Sequence, residues 1–428
     1  MSKNRRTLNQ IKRNNAKLFP IYKMFSWDLL FFYSIEFLYY TITKKVTASD
    51  VLIINGFYLF FRIIMQIPAV AITDTLGRRK GIITGNVLLI IYVFILVFVP
   101  GAIGIIIADM VFSLGYDIKV IAEAGILYDS VSTRGGEGLF SKIDAKGGSW
   151  HYLLDGIASL TAGYLFVINN YMPLVVCLIF ILISTVLSFR FRDVYTVDKE
   201  KVKNTNIKEY TKDLFSSSKL ILKSKRIKAF LLFGVIFYGI IYITKTYNSD
   251  LLITIGIPEE QFSMIFAIFT LLEGIALSLK KQVEKKYKNK TLQFLSLVYI
   301  AACIVIGIIS SITYNNIIMP IILIMIAMQR FSMSIWYILE AKYLKNFTTN
   351  ESRNKVAFVY EFIGGITSCI FSVIGGLLLK VIEVSNAYLI VGLASLALMT
   401  ITLDYMRKRI GLRPKDYKKE DIYFESIK

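Results

Sequence analysis

The sequence predicts an all-α membrane protein with about twelve spanning helices in two pseudo-symmetric six-helix bundles. Three observations predict it. First, 55% of the 428 residues are hydrophobic, mean hydropathy is +0.58 and only 19% are charged, whereas roughly a quarter of a soluble domain is charged. Second, apolar segments recur that are long enough to cross a hydrocarbon layer of ~30 Å, which takes ~20 helical residues. They fall near 19–43, 50–72, 81–99, 102–126, 149–168, 173–191, 228–249, 259–279, 291–312, 317–341, 354–382 and 386–406. Third, 42 of the 50 Lys and Arg lie in the connections that such a threading puts on one side, together with both ends of the chain. That asymmetry places both termini in the cytoplasm of a multi-pass inner-membrane protein.

These spans divide the chain into a cytoplasmic N-terminal segment 1–18, a bundle 19–191, a central cytoplasmic linker 192–227, a second bundle 228–406 and a tail 407–428. Within the linker, Ile207, Tyr210, Leu214 and Ile221 repeat at helical spacing, as in a basic amphipathic helix lying on the inner surface; disorder is the competing reading. The net charge of +20 would suggest a nucleic-acid partner in a soluble chain. Here it is topological, and lipid headgroups are the expected partners instead. Residues 1–17 are polar and basic, and the first span exceeds a signal-peptide core, so no cleavage is expected. Cys177, Cys303 and Cys369 sit in separate spans, which supports neither a disulfide framework nor a metal site. No Gly-x-x-x-x-Gly-Lys-Ser/Thr loop occurs, and Gly135–Gly138 does not make one. An ion or solute gradient is therefore the expected energy source, with no bound cofactor.

Charge inside the spans carries the functional expectation, because burying it in lipid is expensive. Asp28 lies near mid-depth in the first span and Glu36 two turns further out; Arg62 in the second is the expected partner of Asp28 or a ligand for an anionic solute. Asp109, Asp117, Lys119 and Glu123 crowd the fourth span, where Asp117 and Lys119 are too close in sequence to face each other on a helix. His151 opens the fifth span with Asp155 one turn on, which allows a proton relay or an interfacial hydrogen bond. Arg330 is at mid-depth in the tenth span, with Glu273 as its partner or as a protonatable site in its own right. Gly364-Gly365 and Gly375-Gly376 predict close helix approach in the eleventh span.

The connection between the second and third spans reads Gln66-Ile-Pro68, then Asp74-x-x-Gly77-Arg78-Arg79-Lys80. Glycine suits a sharp reversal there, and Asp74 can pair with Arg78 or favour a helix N-terminus. The spacing Asp-x-x-Gly-Arg-Arg resembles the loop signature of the major facilitator superfamily. The preceding residues resemble a group whose second helix reads Glu-Ile-Pro-Thr-Gly, and Tyr128-Asp129-Ser130 resembles the end of that group's fourth helix. In this chain Gln66 replaces the acid, Ala69 the threonine and Val70 the glycine, while Thr75 stands where arginine is frequent. The second half holds a degraded copy, Glu284-Lys-Lys-Tyr287-Lys288, with Tyr287 in the place of Gly77.

The resemblance implies a monomeric secondary transporter working by alternating access. Asp74, Gly77, Arg78 and Arg79 would form a conformational-switch loop packed against the start of the eleventh span. Many members of the group are drug-type exporters, which implies proton-coupled export of small amphipathic compounds. Since Gln66 cannot carry a proton, another carboxylate or another ion must couple transport. Asp28, Arg62, Gln66, Lys119, Glu123, Glu273 and Arg330 are the cavity and coupling candidates. Uptake of a polar metabolite and a non-transporting receptor on the same fold are the rival readings. No nucleophile–base cluster points to an enzyme.

Overall fold

The computed structural model describes residues 2–26, 29–132, 136–194, 224–312, 318–346 and 353–410. Asp28, the amphipathic pattern Ile207–Ile221 and the end of the tail lie outside the described residues. Among the described residues there is no strand. The helices are α1 (Ser2–Ser26), α2 (Leu30–Tyr33), α3 (Glu36–Leu38), α4 (Ala48–Leu76), α5 (Arg78–Phe98), α6 (Gly101–Val131), α7 (Gly136–Ile168) and α8 (Met172–Ser188). They continue as α9 (Lys225–Thr254), α10 (Glu259–Tyr287), α11 (Thr291–Ser310), α12 (Ile318–Asn346), α13 (Arg353–Leu379) and α14 (Val384–Ile410).

Among the described residues, nine helices are long and apolar enough to cross a membrane: α4, α5, α7 and α9 to α14. The remaining predicted segments are helical for other lengths or compositions. Helix α8 is apolar but has 17 residues, and α6 is 31 residues long but interrupted by Asp109, Asp117, Lys119, Glu123 and Asp129. The first predicted span is not one helix. Leu29, ahead of the short α2, and Ser34–Ile35, between α2 and α3, are not helical, and the segment ends in a π-helical turn, Tyr39–Thr43. Neither Pro nor Gly sits in 29–43, and the rings of this stretch pack on one another. Phe32 meets Tyr39 and Tyr40 edge-on at 5.4 and 5.9 Å, and the Tyr39 hydroxyl donates to Leu96 O at 3.0 Å.

The chain forms two compact units. The first comprises Met1–Lys45, Phe61–Thr211 and Glu259–Met264; the second comprises Val46–Phe60, Lys212–Pro258 and Ile265–Lys428. In the first unit α5 packs along α6, with α1 against α6, α7 and α8. Small residues permit the closest crossing: a Cβ on Gly85 would fall 2.7 Å from both Gly115 O and Lys119 Cβ. Phe19, Tyr22, Ile82, Ala122, Ile126 and Phe191 close the core beneath it. Lys44 is buried and donates to Val99 O at 2.7 Å, a cation on the carbonyl end of α5. Burial holds its ammonium below the usual lysine range.

In the second unit α9 packs on α13 and α14, and α11 on α12 and α14. The Gly375-Gly376 pair behaves as predicted: added Cβ atoms would stand 3.0 Å from Ile243 and 2.6 Å from Ile53. Gly364 has more room, with Val235 at 3.7 Å. At the centre of this unit Asn248 donates to Gln329 Oε1 (2.9 Å), Tyr388 donates to Asn248 Oδ1 (2.5 Å), and Thr244 bonds the Tyr299 hydroxyl (2.5 Å). A fully satisfied network of this kind fixes one packing of the helices that carry it.

Candidate functional site

The predicted loop signature is a one-residue joint. Helix α4 ends at Leu76 and α5 starts at Arg78, with Gly77 between them at φ 83°, ψ 167°. That backbone conformation is essentially reserved for glycine. Asp74 and Arg78 sit one turn apart across the joint and pair at 3.7 Å. Arg78 in turn lies on Gly125 of α6, where a Cβ would come within 2.4 Å of its Nε. Arg79 donates its backbone N–H to Asp193 Oδ1 at 2.8 Å and its guanidinium to Phe189 O at 3.0 Å. Asp193 thereby supplies the acceptor that α5 lacks at its own N-terminus.

One further residue, Asn15, ties the same region together. Its amide donates to Arg192 O (2.8 Å) and to Ser130 Oγ (3.1 Å), and its oxygen accepts from Arg192 N (3.2 Å). Asn15 is 3% exposed, so Asn15→Ala should cost about 1–3 kcal/mol, the penalty for buried groups left without partners. Thermal unfolding of the purified variant tests this, and an unchanged midpoint would remove Asn15 from the joint. The second-half copy keeps its helix break but shifts it. The positive φ falls on Lys288 (51°), one residue after Tyr287, and Glu284 pairs with Lys342 at 2.5 Å. Without a glycine the turn closes through a short 3-10 segment, Lys288–Lys290.

Deeper in the first unit, Arg62 of α4 meets Asp117 of α6 at 3.6 Å and stacks on the Tyr116 ring at 4.9 Å. Asp117 is thus a partner of Arg62 among the described residues, while the predicted partner Asp28 lies outside them. Gln66 lies one turn from Arg62 and is half-buried. Lys119 is buried against α5. Glu123, one turn beyond it, accepts from Tyr22 (2.5 Å) and Ser26 (2.6 Å), which makes it a hydrogen-bonded acid at the α1–α6 contact. Lys23 pairs with Asp144, and His151 Nδ1 lies 3.4 Å from Met24 O. Glu36 accepts from Tyr40 at 3.3 Å.

In the second unit Arg330 of α12 pairs with Glu273 of α10 at 3.3 Å and stacks over Phe266 at 5.6 Å. The two pairs share a plan with the signs exchanged. The second predicted span of the first half carries arginine and the fourth the acid; in the second half the second span carries the acid and the fourth arginine. Each pair is half-open: Arg62 keeps 36% of its side chain exposed, Arg330 18% and Glu273 24%. Asp117, at 6%, is the one closed side chain of the four. Among the described residues no group of His, Cys, Asp and Glu is arranged to hold a metal.

Residues 24–372 match the family profile of the major facilitator superfamily. No curated protein sequence matches the chain. Among solved structures, the nucleoside transporter NupG superposes with a TM-score of 0.72 at 12% identity, covering 92% of this chain and 99% of that one. A POT family transporter in complex with a thioalcohol-conjugated peptide gives 0.63 at 14% identity, covering 94% and 96%. A D-xylose–proton symporter gives 0.63 at 12% identity, covering 93% and 97%. With the joint at Gly77, the charged spans and a profile match over most of its length, this chain belongs to the major facilitator superfamily of membrane transporters.

Proposed function

We propose that the protein is a proton-coupled secondary transporter of a small solute, acting as a monomer in the inner cell membrane with both termini cytoplasmic. The observation that carries this reading is the pair of half-open arginine–carboxylate contacts, Arg62–Asp117 and Arg330–Glu273. Groups placed this way bind a polar solute by exchanging an internal ion pair for a solute contact, so occupancy and charge balance are linked. They favour a polar metabolite. Export of an amphipathic compound is the second reading, supported by the likeness of the Gln66–Arg79 stretch to a group rich in exporters. Structural neighbours that carry nucleosides, peptides or xylose leave the direction open, since the fold serves many substrates. In alternating access, the joint at Asp74, Gly77 and Arg78 would hold one of the two states.

Flux in proteoliposomes separates the readings. Under an imposed proton gradient, a panel of nucleosides, sugars and short peptides is compared with amphipathic cations. Arg330→Met should lower flux of the accepted solute at least about tenfold, equivalent to ~1.4 kcal/mol. Equal flux in wild type and Arg330→Met would take the pair out of the site, and movement of amphipathic cations alone would select the second reading.

A further inference from the structure

Glu340 lies in α12 at 3% exposure, closer to the cytoplasmic end of its helix than Arg330. Its Oε1 has no hydrogen-bond partner, and neither do its neighbours Tyr360 Oη and Trp336 Nε1. Gly234 of α9 shows how near two of these are: a Cβ there would fall 1.7 Å from Tyr360 Oη and 2.5 Å from Glu340 Oε1. Tyr238 of α9 lies close enough to interact electrostatically with the carboxyl group. Around it the rings close a box: Tyr238 meets Trp336 at 5.8 Å, Tyr337 at 5.0 Å and Tyr360 at 6.2 Å, and Phe237 meets Trp336 at 4.7 Å.

A carboxylate in such a box needs either a counter-cation or a proton, because an isolated buried charge costs many kcal/mol. Among the described residues no salt bridge reaches Glu340. The titratable and charged groups that face the box are Tyr238 and Tyr242 of α9, Tyr337 of its own helix, and Tyr360 and Glu361 of α13. Arg330, three turns away on α12, reaches only as far as Tyr337 and is paired with Glu273. Aromatic walls with a carboxylate would suit an organic cation. Here, however, the rings pack on one another and Trp336 is fully buried, so a cation would have to displace them. A proton displaces none.

We propose that Glu340 is a proton-binding site of the second unit, with the Tyr238 and Tyr360 hydroxyls as its immediate partners. Binding adds one proton to a carboxyl oxygen and removes one negative charge from the interior of the unit. Tyr238 is only half-buried and forms the side of the box through which the proton exchanges. This deepens the proton-coupled reading above and rests on it for its meaning, but it is tested without solute or flux.

Infrared titration of the full chain in lipid nanodiscs gives the readout. Wild type should show a protonated-carboxyl band at neutral pH, with one component lost in Glu340→Gln and kept in Glu273→Gln. Glutamine reproduces the shape of the neutral acid, so the fold is expected to survive. Tyr360→Phe leaves the carboxyl in place and should shift that component. A Glu340→Gln spectrum identical to wild type would overturn the assignment, as would a component indifferent to Tyr360→Phe. Flux of an accepted solute, measured separately, stands or falls independently of the band.

Discussion

Arg62→Leu is expected to destabilise the purified protein by about 3 kcal/mol, the largest effect of any single substitution considered. Removing the guanidinium leaves Asp117, whose side chain is 6% exposed, without the cation 3.6 Å away. Breaking one side of a buried pair costs ~3–5 kcal/mol, and the lower end applies because Arg62 itself keeps a third of its side chain open. The stacking on Tyr116 is lost as well, a contribution on the order of 1 kcal/mol. The double variant Arg62→Leu/Asp117→Asn should recover much of the loss, because the carboxylate that faced Arg62 is then removed with it. Unfolding of the four proteins in lipid or detergent gives the cycle. Strictly additive single losses would show that the two side chains do not interact.

Gly77→Val should be nearly as damaging, through the backbone and not through space. At φ 83° and ψ 167° a side chain is strained wherever it points, while the nearest atoms to an added Cβ belong to Asp193 at 3.5 Å, an ordinary contact. Forcing a β-branched residue into this region costs about 1–3 kcal/mol. The strain is relieved by rotating the start of α5, which pulls Arg79 N from Asp193 and Arg78 from Asp74. Transport should fall about tenfold for each 1.4 kcal/mol by which the joint is lost, with insertion unchanged. Asp74→Asn keeps the backbone and removes only the ion pair, so its effect should be smaller. Equal effects would place the function of the joint in its charges alone.

The spans were legible because lipid imposes a length and an apolarity that few other solvents demand. Arg330 and Glu273 were legible for the same reason: each is too expensive to stand alone at that depth, and each found the other. Glu340 was not, because it falls at the predicted end of a span, where a carboxylate usually meets headgroups; only the ring box shows that it is buried. Asn15 and Asp193 escaped notice because they sit in polar stretches that read as tail and linker, and their partners are backbone atoms far away in sequence. The interruptions of the first span at Leu29 and Ser34–Ile35 have no Pro or Gly within 29–43 to announce them. Tyr287 suggested the register of the second-half turn, and Lys288 takes the left-handed conformation instead.

Most direct is a measurement of proton movement in sealed, weakly buffered proteoliposomes with no gradient imposed. Adding a solute that the protein accepts should shift the internal pH in wild type, and the shift should be at least about tenfold smaller in Arg330→Met. Solute entering with no change in internal pH would contradict proton coupling, and a solute that binds without crossing would contradict transport itself.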